Sequence, residues 1–112
     1  KIPFDCSPDG KTPINVTNHS YFNLGGYASG NILSHEIQIF AKYFTPMNED
    51  SIPTGEIRSV ENTPFDFRIP KKIGRDVSSP DEQLIIGRGY DHNFCLENYT
   101  GALREFAMVY DP

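Results

Sequence analysis

A chain of 112 residues is long enough for one domain with one modest core. Its 38% hydrophobic and 22% charged residues exclude a disordered tail, and nine Gly with nine Pro exclude much long helix. A net charge of −5 leaves no basic stripe for nucleic acid, and no apolar run reaches the ~20 residues of a membrane span.

The chain opens on Lys1-Ile2-Pro3-Phe4-Asp5-Cys6, without an initiator Met or a signal-peptide core, and so reads as the interior of a longer sequence. Alternation and β-branched residues predict a strand over Thr12 to Asn18 and a short one over Tyr21 to Leu24, ended by Gly25-Gly26. Residues 25–34, rich in Gly, Ser and Asn, form a loop. His35-Glu36-Ile37-Gln38-Ile39-Phe40-Ala41 alternates cleanly and is the clearest strand, with Ile37 and Ile39 on one face and His35 at the surface; Tyr43 to Met47 extends beyond it. Polar and Pro-Gly turns follow at 48–51 and 52–55, with short strands expected over Glu56 to Val60 and Phe65 to Arg68. Residues 69–84 read as loop with helical turns near Lys71–Ile73 and Asp81–Ile85, the cations Lys71, Lys72 and Arg75 forming a solvated face. The last strands are His92 to Glu97 and Arg104 to Tyr110, joined by a turn at 98–101. Many short strands between turn signals predict an all-β fold, an antiparallel β-sandwich.

Two runs carry chemistry. Thr17-Asn18-His19-Ser20-Tyr21-Phe22-Asn23-Leu24-Gly25-Gly26 sets one imidazole between a β-type run and a double-glycine turn. Imidazole gives or takes a proton near neutral pH, so His19 fits a general acid; a lone His is more often a strand cap bonded to its own loop, and the residues around this one shift the balance. Gly87-Arg88-Gly89-Tyr90-Asp91-His92-Asn93-Phe94 brings polar groups to the start of a strand after a glycine turn. Asp91 could accept hydrogen bonds from a pair of sugar hydroxyls, or cap the turn through nearby N–H groups. His19, His35 and His92 lack metal-ligand spacing, Cys6 and Cys95 lack paired zinc spacing, and no GxGxxG opens a helix. The two cysteines read as free thiols in a reducing compartment, and the three Asn-X-Ser/Thr patterns, at Asn15, Asn18 and Asn98, as unused.

Four segments in order resemble the aldose 1-epimerase (galactose mutarotase) family: residues 13–24 (PINVTNHSYFNL), 52–57 (IPTGEI), 63–68 (TPFDFR) and 89–94 (GYDHNF). The resemblance implies a galactose mutarotase-like supersandwich, of which residues 1–112 form the central part of a single β-sandwich domain. It implies an isomerase of free aldohexoses such as galactose and glucose that uses no cofactor and no metal and sits in the cytoplasm. The sugar is the expected partner; nucleic acid and membrane are not, and nothing in the pattern specifies an oligomeric state. By the same resemblance His19 protonates the ring oxygen, and Asp91 and Asn18 bind sugar hydroxyls. The family's general base, a Glu toward the C-terminus, matches no residue here, so the stretch alone is expected to be inactive. A non-catalytic carbohydrate-binding β-sandwich is the alternative; it would need Asp91 but not His19.

Overall fold

A computed structural model describes residues 3–98 and 100–112. Its strands are β1 (Glu36–Ile39), β2 (Tyr43–Thr45), β3 (Arg58–Ser59), β4 (Lys71–Lys72), β5 (Asn93–Cys95) and β6 (Ala107–Tyr110). A 3₁₀ turn (Ile73–Arg75) and one short helix, α1 (Glu82–Gly87), lie between β4 and β5. The strands form two antiparallel three-stranded sheets, ordered β4-β1-β6 and β3-β2-β5. The all-β, antiparallel, sandwich-like expectation therefore holds.

β1 forms where the alternation was clearest. Ile37 and Ile39 face a groove of about 300 Å³ shared with Phe94, Leu96 and Phe106, while Glu36 and Gln38 face the opposite side beside Met108 and Tyr110. That groove runs between β1 of one sheet and β5 of the other, while Ile39 N–H donates to Phe67 O (2.8 Å) on the β4 side of β1.

The main core lies under the second sheet. Phe44, Val60, Phe65 and Leu84 are buried together, with Tyr90 and Phe94 packed on them. Phe44 and Phe65 stack at 4.5 Å between centroids, and Tyr90 meets Phe65 edge-on at 5.4 Å. Leu84 reaches this core from α1. Asp81 caps that helix by accepting from Gln83 N (2.9 Å) and Leu84 N (3.4 Å), and Arg88 ends it in the left-handed region at φ 52. The glycine-flanked run at 87–89 thus serves first as a helix terminus.

Five expectations are corrected. Thr12 to Asn18 and Tyr21 to Leu24 form no strand, and nearly every residue there is exposed, Ile14 and Phe22 included. Alternation marks a segment suited to a sheet, but a strand needs a ladder for its N–H and C=O groups, and among the described residues no ladder forms on these stretches. Burial therefore gives no reason to exclude a glycan from Asn15 or Asn18.

Phe65 to Arg68 is turn and not strand; Thr63 Oγ1 accepts from Phe65 N (3.1 Å) and donates to Val60 O (2.6 Å), bending the backbone while Phe65 and Phe67 still point inward. His35 is buried at 3% exposure instead of lying on the surface.

Lys71 is not part of a solvated face either. Its ammonium donates to Pro64 O (2.6 Å) and Asp76 Oδ2 (2.7 Å) and sits 4.4 Å from the Phe67 ring centroid. Burying an ammonium costs free energy unless such partners replace its water. Lys72 and Arg75 are exposed as expected.

Candidate functional site

The His19 segment is irregular and ends in a tight loop beside the first sheet. Asn23 organises that loop: its Oδ1 accepts from Gly25 N (3.1 Å) and Ser29 Oγ (3.1 Å), and its Nδ2 donates to Gly30 O (3.0 Å). Gly26 at φ +100 and Gly30 at φ +91 supply the left-handed conformations the turn requires. Upstream of the loop, His19 is exposed and stacks on Tyr21 at 4.8 Å between centroids. Asn18 is exposed beside it and accepts a hydrogen bond from Ser20 Oγ. Among the described residues the His19 ring has no hydrogen-bond partner, so the strand-cap role is not the one it takes here.

Asp91 lies at the mouth of β5. It is exposed, and among the described residues its carboxylate bonds to no backbone N–H, so it does not cap the turn after α1. Its neighbour His92 points the other way, into the core. His92 Nε2 lies 3.1 Å from Gln83 Oε1. The Gln83 amide is itself fixed, because Oε1 accepts from Met47 N (2.8 Å) and Nε2 donates to Met47 O (3.1 Å). Gln83 Oε1 can only accept, so His92 must donate from Nε2, leaving Nδ1 buried and unpartnered. The ring lies 4.6 Å from Phe65 and 5.6 Å from Phe44. A Cβ at Gly87 would sit 3.0 Å from its Cε1, so a side chain at the end of α1 would press on this ring.

Burial holds the His92 imidazole below its ordinary value, against an opposing pull from Asp91 and Asp81. With the folded value below the unfolded one, the unfolded chain takes up the proton first as pH falls. The stabilisation from neutral His92 is whole above about pH 6.5, the unfolded value, and drains away as pH drops toward the folded one. The urea midpoint should therefore fall further between about pH 7.5 and about pH 5.5 in the wild type than in His92→Gln. Equal falls would show that His92 carries none of this acid sensitivity.

Grooves flank both polar groups without including them. One of about 510 Å³ is lined by Ser20, Tyr21, Phe22 and Asn23 on one side and Gly30 to Leu33 on the other. The second is the inter-sheet groove reached by His92 and Asn93. His19 and Asp91 line neither of these two grooves.

Sequence reasoning missed two residues that shape this region, His35 and Asp111. No motif contains either of them; the signal available was that His35 begins the strand directly after the loop that closes the His19 segment.

A family profile described as Aldose 1-epimerase matches residues 2–112. The chain is 51% identical over 86 residues to a galactose mutarotase of Bos taurus, a match covering 77% of this chain and 24% of that protein. It is 40% identical over 96 residues to an aldose 1-epimerase of Escherichia coli (strain K12), covering 86% and 27%. Among solved structures, a galactose 1-epimerase from Lactobacillus acidophilus NCFM matches with a TM-score of 0.71 at 33% identity, covering 84% of this chain and 26% of that one. The chain thus spans about a quarter of the length of these relatives.

Proposed function

The chain belongs to the aldose 1-epimerase family, and from that premise we propose that it forms the central part of a mutarotase β-sandwich domain interconverting the α and β anomers of free aldohexoses such as galactose and glucose. The observation that carries this reading is the reach of the family match, residues 2–112, which takes in both the His19 run and the Asp91 run.

In this reading His19 protonates the ring oxygen while a base, supplied from outside this stretch, removes the anomeric hydroxyl proton. The ring opens, the aldehyde turns about its bond to C2, and the ring recloses on the other face. Both directions need the same groups, which suits an imidazole. Asn18 and Asp91 bind sugar hydroxyls. Two features support the assignment: the His19 ring and the Asp91 carboxylate are exposed, and among the described residues neither is spent on an internal hydrogen bond. The reaction as written is proton transfer alone and calls for no cofactor. Free Cys6 and Cys95 fit a cytoplasmic setting, and among the described residues no helix is long and apolar enough to cross a membrane.

Polarimetry of the full-length protein tests this directly. Freshly dissolved α-galactose or α-glucose should reach anomeric equilibrium faster with protein than without. Asp91→Ala should raise KM about tenfold or more, the effect of losing a charge-assisted hydrogen bond to substrate. Wild-type kinetics in Asp91→Ala would remove it from the sugar site. A protein that binds the sugar but leaves the optical rotation to decay at the uncatalysed rate would be the carbohydrate-binding sandwich instead.

A further inference from the structure

The register of β1 against β6 pairs Glu36 with Tyr110, so its continuation sets His35 opposite Asp111. Both lie one step past the ordered ladder, where the loop that ends the His19 segment comes down on the sheet. The backbone of His35 is held from two sides: its N–H donates to Ile32 O (3.1 Å) and its carbonyl accepts from Ile73 N (2.9 Å). Its side chain is 4% exposed. Nε2 accepts from the backbone N–H of Leu24 at 3.1 Å. Nδ1 is fully buried, has no hydrogen-bond partner, and faces Asp111 Oδ1 at 3.5 Å.

These contacts dictate a protonation pattern. A nitrogen that accepts from an N–H carries no proton, so neutral His35 must carry its proton on Nδ1. That is the side facing the carboxylate, which favours a proton there and disfavours a bare lone pair. The glycine turn is shaped to the same seat. A Cβ on Gly25 would lie 2.8 Å from Ser29 Oγ and 3.1 Å from Asp111 Oδ2, so a side chain there would have to push Ser29 or Asp111 aside. The stretch ahead of it makes no ladder among the described residues; the Leu24–His35 bond ties the segment, five residues on from His19, to the buried residue that leads into β1.

We propose that His35 is a positioning residue for the His19 segment: Asp111 holds its imidazole as the Nδ1–H tautomer so that Nε2 can fix the Leu24 amide, and through it the placement of His19. The role rests on the reading of His19 as the general acid. Its strength is that of a geometric aid, because misplacement of a reacting group by about 1 Å costs up to about 10²-fold in rate.

The test uses the full-length protein. Nitrogen-15 labelling of histidine should show His35 with its proton on Nδ1, and hydrogen exchange should show the Leu24 amide protected. His35→Leu, which keeps the bulk and loses both nitrogens, should free that amide and lower kcat by about 10- to 100-fold with a much smaller change in KM. His35→Gln, whose side-chain oxygen can still accept from Leu24, should retain both the protection and most of kcat; this variant and the tautomer decide the matter if His35→Leu does not fold. A proton on Nε2 in the wild type, or wild-type kcat in a folded His35→Leu, overturns the proposal. Failure of the mutarotase reading looks different: His19→Asn and wild type would then equilibrate the anomers at one rate while the His35 tautomer and the Leu24 protection stand, and His35 would have no acid to position.

Discussion

Replacing His19 by Asn in the full-length protein is expected to lower turnover by about 10²–10⁴-fold, the range of a positioned proton transfer. Asn keeps a polar group of similar reach but has no proton to give near neutral pH. The loss corresponds to about 3–5 kcal/mol of barrier. It should fall on kcat, since the proton moves only once the ring C–O bond begins to break, and an interaction made only in the transition state leaves KM nearly unchanged. The fold should not notice the change. His19 is exposed, and its recorded contact is the stacking on Tyr21, with planes 30° apart; surface changes of this kind stay within about 0.5 kcal/mol. A folded His19→Asn protein with kcat within a factor of about two of wild type, well below the range for proton transfer, would exclude the acid role. Stopped-flow polarimetry beside a urea titration separates the two readouts.

What the sequence disclosed and what it withheld follow from the range over which each signal acts. The alternation of residues 35–41, the helical turn near Asp81–Ile85 and the closing strand within Arg104 to Tyr110 are local patterns, and each holds an element of the type it predicted. The run from Thr12 to Asn18 carries an equally local β pattern, yet pairing depends on a neighbour that composition cannot name, and among the described residues no ladder forms on it. Phe65 and Phe67 alternate as a strand does and both face inward, but Thr63 turned the backbone away from any ladder. His35 and Lys71 failed for one shared reason. Polar side chains are read as exposed unless a partner is known, and their partners, Leu24 N–H with Asp111, and Pro64 O with Asp76, come together only in the fold. The candidate site was legible as residue types and motif order. The seat that holds the His19 segment was not, because it is built from a cross-strand pair 76 positions apart in the chain, from His35 to Asp111.

Phe65→Ala is expected to cost about 3–5 kcal/mol of stability in the full-length protein, the usual loss for deleting a fully buried aromatic ring. Phe65 is 0% exposed and is the hub of its cluster: it stacks nearly parallel on Phe44 at 11°, and takes Tyr90 and His92 edge-on at 89° and 67°. Its neighbours cannot collapse into the gap. Phe44 is fixed in β2, Tyr90 is held by its hydroxyl on Pro64 O (3.2 Å), and His92 by Gln83. The cavity would therefore stay open, and its cost adds to the lost transfer energy. Phe65→Leu fills most of that space and should cost less than half as much, so the pair of variants separates volume from aromatic contact. Two of the freed neighbours flank Asp91 in the chain, so a protein that still folds should also show weakened sugar binding, with KM rising more than kcat falls. A urea-measured loss below about 1 kcal/mol for Phe65→Ala, far under the range for a buried ring, would mean that the cluster repacks and that His92 is held in place by Gln83 alone.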